Sequence, residues 1–248
     1  MKTGGIRLKF APLSFLILVA VTTPLFFMKP LEAQEATSSV KCDSGSCARP
    51  WQLGGFMQGG FPPEYEIHAG PLYFGVDLEL FSAGLEAGKQ AKRYDGFRPI
   101  RGRGEAMLEV IPFWLARYPP QTQTLRFSGS GSAYSSYWKG QGFHGASVTP
   151  FLLRWNFSQR DSARVVPWAQ LGGGLLWTNH KFPYSFLGGT SVINFTPQVG
   201  VGVNIFNRPK HSVNFAIKAI HISNASLGDH NPGLNQTIQF SAGYSWWR

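Results

Sequence analysis

Apolar residues recur at every second position through most of the chain after residue 50, and a period of two commits those segments to extended strands. From Ser212 to Ser223 one parity reads Val213, Phe215, Ile217, Ala219, His221, Ser223, against Ser212, Asn214, Ala216, Lys218 and Ile220 on the other. The last segment repeats the pattern, with Ile238, Phe240, Ala242, Tyr244 and Trp246 alternating with Thr237, Gln239, Ser241, Gly243 and Ser245. In Val192 to Phe206, Ile193, Phe195, Val199, Val201, Val203 and Ile205 oppose Asn194, Thr196, Gln198, Gly200, Gly202 and Asn204. Four earlier segments follow, around Leu72–Leu80, Glu105–Val110, Phe151–Phe157 and Ala169–Thr178, and a first strand is expected near Trp51 to Gly59. The sum is about eight antiparallel strands, enough for a small sheet to close on itself.

Periodicity does not say which face meets water, but chemistry does. The apolar parity carries Phe, Trp, Tyr and Leu to the strand ends, while Asp77, Glu79, Glu105, Glu109, Arg154 and Lys218 occupy the other. Ionisable groups inside and aromatic strand ends outside predict an all-β, antiparallel transmembrane β-barrel of about eight strands rather than a soluble sandwich or lipocalin. Closed barrels and helices alone satisfy every backbone group in lipid, and no stretch after residue 33 is apolar enough for a spanning helix. A barrel this small has its interior filled by side chains, which disfavours a diffusion pore.

The N-terminus fits export. Lys2, Arg7 and Lys9 precede an apolar run from Ala11 to Met28, and Ala33 offers a small residue before a cut. Thr22, Thr23 and Pro24 interrupt the run short of the ~20 residues a spanning helix needs. The expected organisation is a signal peptide over 1–33, a flexible segment over 34–50 and a barrel over 51–248, in the outer membrane of a Gram-negative-type cell. The net charge of +10 falls to +7 once Lys2, Arg7, Lys9, Lys29 and Glu32 are removed with the leader. A basic surface suits phosphorylated lipid headgroups, whereas nucleic acid is disfavoured by export and by the lack of a Lys/Arg-dense stripe. Cys42 and Cys47 are expected to form a small local disulfide in an oxidising compartment. His68, His144, His180, His211 and His230 have no partner at metal-ligand spacing, so neither metal nor cofactor is expected. The Ser-, Gly- and Tyr-rich stretch Tyr118 to Gly142 reads as a long loop.

Topology then places one reactive pair. With both termini in the periplasm, the strand near Ser212 to Ser223 runs outward, so His221 and Ser223 end it on the lipid-facing wall at outer-leaflet depth. Residues i and i+2 of a strand share a face with Cβ atoms roughly 6–7 Å apart, within reach of an imidazole nitrogen and a hydroxyl. A nucleophile, a base, an orienting group and oxyanion donors make an esterase, and Asn224 with the backbone N–H groups around Ala225 and Ser226 offers the donors. The bland reading is that His221 and Ser223 are interfacial polar groups, with Asn224, Asn231, Pro232 and Gly233 as turn formers.

The run His221-Ile222-Ser223-Asn224-Ala225, followed by Asn231-Pro232-Gly233 and a closing strand, resembles the signature of PagL-type lipid A 3-O-deacylases, eight-stranded outer-membrane barrels. Gly172-Gly173-Gly174, Thr178-Asn179-His180 and Val192-Ile193-Asn194-Phe195 are similar to the acyloxyacyl hydrolase branch of that group. The resemblance implies a serine esterase acting on lipid A of lipopolysaccharide among the outer-membrane lipids. Ser223 would be the nucleophile, His221 the base, and Asn224, with Ala225 and Gly233 beside it, the oxyanion and substrate side. In the family a Glu stands two residues after this Gly; here the position is Asn235. An amide orients an imidazole through its carbonyl oxygen but adds no charge, as in Cys-His-Asn and Ser-His-Asn sets. Asp229 is the nearest alternative carboxylate. Two other readings stay open: a non-catalytic structural or adhesive barrel, and a phospholipase A using the same residues.

Overall fold

The computed structural model describes residues 48–248 except 63–65, 70–71, 76, 93–94, 98–99, 128–130, 132, 159, 185–190 and 228–233. The expectations for the leader, for Cys42 and Cys47, and for Asp229, Asn231 and Gly233 lie outside the described residues. Among the described residues thirteen strands follow in order: β1 (Trp51–Phe61), β2 (Glu66–Ala69), β3 (Leu72–Gly75), β4 (Glu79–Gln90), β5 (Arg103–Tyr118), β6 (Gln121–Phe127), β7 (Ala133–Trp138), β8 (Gln141–Asn156), β9 (Val165–Phe182), β10 (Ser191–Phe195), β11 (Gln198–Arg208), β12 (His211–Ile222) and β13 (Leu234–Trp247).

Eight of them close a barrel in the order β1-β4-β5-β8-β9-β11-β12-β13, with β13 returning to β1. All pairings are antiparallel. β10 prolongs the line of β11, because Phe195↔Ser223 and Gln198↔Ile220 belong to one register frame. The interruption falls at Pro197, which has no N–H to give the ladder. Trp51 and Arg248 exchange backbone hydrogen bonds of 3.1 and 2.9 Å, so both termini of the barrel share one end, the periplasmic end of such a barrel. The connections β1–β4 and β5–β8 leave the opposite end and build a second sheet, β2-β3-β6-β7. The stretch Tyr118 to Gly142 is therefore mostly a hairpin, β6 with β7, rather than a long loop. Its Thr- and Tyr-rich alternation supports strands despite the Gly and Ser around it.

The alternation resolves as expected in most strands. Leu53, Met57, Leu108, Val110, Phe151, Leu153, Leu171, Leu175, Trp177, Phe215, Ile217 and Phe240 are exposed and form an outer apolar belt, with Trp51 and Trp246 at its periplasmic margin. A patch that large on a water-soluble protein would cause association; in a bilayer it is the solvated face. Gln52, Glu86, Glu105, Glu109, Arg154, Gln170, Gln198, Asn214, Lys218 and Gln239 are buried in the lumen. Arg154 is one hub there, giving Nη2 to Glu86 Oε2 at 2.9 Å, Nη1 to Gln52 Oε1 at 3.2 Å and Nε to Gln170 Oε1 at 3.1 Å. Its guanidinium also lies over the Trp168 ring. Lys218 and Glu109 form a second, fully buried ion pair.

One end of β4 reverses the expectation. Leu78 and Leu80 point inward, while Asp77 and Glu79 are exposed and Glu79 lies 3.9 Å from Arg117 on the outside. The cause is that the outer end of the lumen is itself apolar. Leu78 and Leu80 join Trp114, Phe143, Leu176, Phe182, Ile220 and Ile222 in one buried cluster, with Trp114 and Phe143 each edge-on to Phe182 at 5.2 Å. At that height an apolar side chain fits inside and a charge outside, above the belt.

The glycine run in β9 has a packing reason at its two outer members. β8 bulges between Val148 and Phe151 onto β9. A Cβ at Gly172 or Gly174 would come within 2.3 Å of the Phe151 carbonyl or 2.4 Å of the Val148 carbonyl.

Candidate active site

β12 and the residue after it bring the candidate base His221 and the candidate nucleophile Ser223 to one wall. Its outward parity runs Phe215, Ile217, Ala219, His221, and Ser223 follows in the same frame, opposite Phe195, with which it exchanges hydrogen bonds of 2.6 and 3.1 Å. The His221 N–H is accepted by the Pro197 carbonyl at 3.0 Å, so the backbone of both residues is locked to the β10–β11 line. His221 is half-buried, and Ser223, at 6% exposure, is shielded from bulk solvent although its parity points to the outside. Ile220 and Ile222, which flank His221, pack inward into the aromatic cluster. The strand is thus pinned from inside while its opposite face carries His221 and Ser223.

The other flank of β12 holds an irregularity that the periodicity did not disclose. Ile220 pairs with Thr237, but Ile222 pairs with Leu234, so between these rungs β12 has His221 alone while β13 has both Asn235 and Gln236. This is a β-bulge, a device that bends a strand and re-aims side chains beside active sites. Asn235 and Gln236 thereby share the register position opposite His221; the Asn235 side chain is outside the described residues.

After Ser223 the chain turns sharply. Asn224, at 2% exposure, accepts the Ser226 N–H on Oδ1 at 2.9 Å, and its own carbonyl accepts the Leu227 N–H at 3.0 Å. Ala225 and Ser226 take φ of 51° and 64°, the left-handed region that non-glycine residues seldom adopt. Such strain persists where the surroundings over-determine it, and here an Asx-type turn does so. The expectation that both backbone donors here are available is corrected by this turn. The Ser226 N–H is consumed inside it, and among the described residues only the Ala225 N–H of that pair has no hydrogen-bond partner.

Of the other histidines, His211 Nδ1 lies 3.0 Å from the Tyr244 hydroxyl, and the backbone N–H of His144 donates to Asn179 Oδ1 at 3.0 Å. Among the described residues no group of three His, Cys, Asp or Glu side chains could hold a metal.

The closed barrel, its polar lumen and its apolar belt define an integral β-barrel of the outer membrane. The sequence profile of the lipid A 3-O-deacylase (PagL) family matches residues 111–245, more than half of the chain, and the chain belongs to that family. It is an outer-membrane barrel of the lipid A deacylase class. Among solved structures, the outer membrane enzyme PagL aligns at 15% identity and a TM-score of 0.45, covering 79% of this chain and 99% of that one. The outer membrane protein OprG from Pseudomonas aeruginosa aligns at 12% identity and a TM-score of 0.47, covering 81% and 97%. No curated protein matches the chain.

Proposed function

We propose that this protein is a serine esterase that hydrolyses the acyl chain ester-linked at the 3-position of lipid A in the outer leaflet. Ser223 is the nucleophile, His221 the general base and then acid, Asn235 the group that orients the imidazole, and Asn224 with Ala225 the oxyanion side, Gly233 lying beside them. The observation that supports this most is the shared outward parity of His221 and Ser223 at the outer end of β12, with Asn235 one of the two β13 residues at the bulge across from His221.

In the reaction, the His221 imidazole takes the proton as Ser223 Oγ attacks the ester carbonyl. The tetrahedral oxyanion is met by preorganised donors, for which the Ala225 N–H and the Asn224 amide are the candidates. Collapse expels the sugar hydroxyl, which takes the proton back from His221, and leaves an acyl-serine. Water activated by His221 then releases the fatty acid. Because the pair sits on the wall and not in the lumen, the substrate approaches sideways through the lipid.

A serine-directed fluorophosphonate is expected to add one covalent mass on the peptide containing Ser223, and His221→Ala is expected to abolish the adduct. Labelling elsewhere, or none on a folded barrel, would sink the esterase reading. Asn235→Glu is expected to raise kcat by at least about tenfold, because a carboxylate stabilises the imidazolium that an amide only orients. An unchanged or lower rate on lipid A would remove Asn235 from the set.

A further inference from the structure

We infer that Thr237 is a positioning residue for His221, its hydroxyl clamping the rung from which the β13 bulge departs. This rests on the reading of His221 as the base. Thr237 is fully buried, and its Oγ1 donates to the Ile220 carbonyl at 2.9 Å. Gln239 Nε2 donates to the same hydroxyl at 3.3 Å, so the hydroxyl is held from behind as it holds the carbonyl in front. The carbonyl it grips belongs to the peptide unit joining Ile220 to His221. Peptide planarity makes that grip directional: fixing the Ile220 C=O fixes the plane that delivers the His221 N and Cα, the base from which the imidazole projects.

The clamp matters because a bulge locally disrupts the ladder and leaves a residue unpaired. On the β11 side His221 is held by its N–H to Pro197, and Pro197 has no N–H to return. On the β13 side the next pairing beyond His221 is shifted by one residue. The Thr237 hydroxyl supplies a side-chain bond to the last regular rung before the shift. The β-branched side chain has a restricted χ1, which suits a clamp.

The test compares Thr237→Val, which keeps the shape and loses the hydroxyl, with Thr237→Ser, which keeps the hydroxyl. Thr237→Val is expected to lower kcat on lipid A about tenfold with KM within about twofold, a loss in line with a sub-ångström displacement of a base. Thr237→Ser should stay within about twofold of wild type. Amide hydrogen exchange over residues 219–223 should accelerate in the Val variant and not in the Ser variant. That readout needs no turnover: an inert wild type would overturn the esterase reading while exchange still decides the clamp. Gln239→Leu, which removes the second bond, should shift both readouts in the same direction by about threefold, and it carries the test if Thr237→Val does not fold. Wild-type kcat and exchange in Thr237→Val or, failing that variant, in Gln239→Leu would overturn the proposal. So would an equal loss in Thr237→Ser, which would assign the effect to packing and not to the hydroxyl.

Discussion

Ser223→Ala is expected to reduce lipid A deacylation by a factor on the order of 10⁴ to 10⁶, and His221→Ala to match it, with the double variant no worse than either. The lack of additivity is the informative part. A nucleophile without its base, or a base without its nucleophile, leaves only the oxyanion donors and substrate binding, so the second removal takes nothing more away. Both variants should keep the barrel, because His221 and Ser223 engage the β10–β11 line through backbone groups that Ala also possesses. The rate on detergent-dispersed lipid A, measured beside the heat-dependent gel shift of the folded barrel, separates lost chemistry from lost folding.

Lys218→Met is expected to destabilise the barrel by about 3–5 kcal/mol, because it leaves the buried Glu109 carboxylate without its cation. Lys218 and Glu109 are both almost completely enclosed, and Lys218 also lies 4.5 Å over the Phe56 ring. Gln198 Nε2 donates to the other Glu109 oxygen at 3.2 Å, a bond too weak to replace an ammonium. Adding Glu109→Leu to Lys218→Met is expected to recover most of the loss, since removing both charges of a buried pair costs far less than removing one. Urea unfolding of the barrel in vesicles measures both. Equal stability of the single variant and wild type would mean that the lumen is wet enough to hydrate the carboxylate.

Much of this molecule is written in a period of two. The barrel, its closure by about eight strands and the inward placement of Glu105, Glu109, Arg154 and Lys218 follow from parity once the bilayer is taken as the solvent. Parity misleads where the solvent changes along one strand. Leu78 and Leu80 look like belt residues and are core, because the outer end of the lumen is lined by Trp114, Phe143 and Phe182. The hairpin β6–β7 was hidden by its Gly and Ser content, although Tyr134, Tyr137 and Trp138 are strand formers.

At the site, His221 and Ser223 were legible because a polar pair ending an apolar face has few packing explanations. The bulge opposite His221 was not legible. One extra residue in β13 is invisible to sequence alternation, which runs unbroken through Thr237, Gln239 and Ser241 and says nothing about what each rung faces. Gln236, after Asn235, departs from the apolar parity set by Ile238 and Phe240, but a polar residue at a strand end does not by itself mark a bulge. Thr237 was read as one more lumen polar residue, since only its bond to the Ile220 carbonyl distinguishes it.

The most direct test of the central claim is mass spectrometry of lipid A after incubation with the folded wild-type barrel. The account predicts loss of a single ester-linked hydroxyacyl mass, assigned to the 3-position by fragmentation, with glycerophospholipids in the same vesicles left intact. Unchanged lipid A in the presence of a folded barrel, or release of fatty acid from the phospholipids instead, would contradict it.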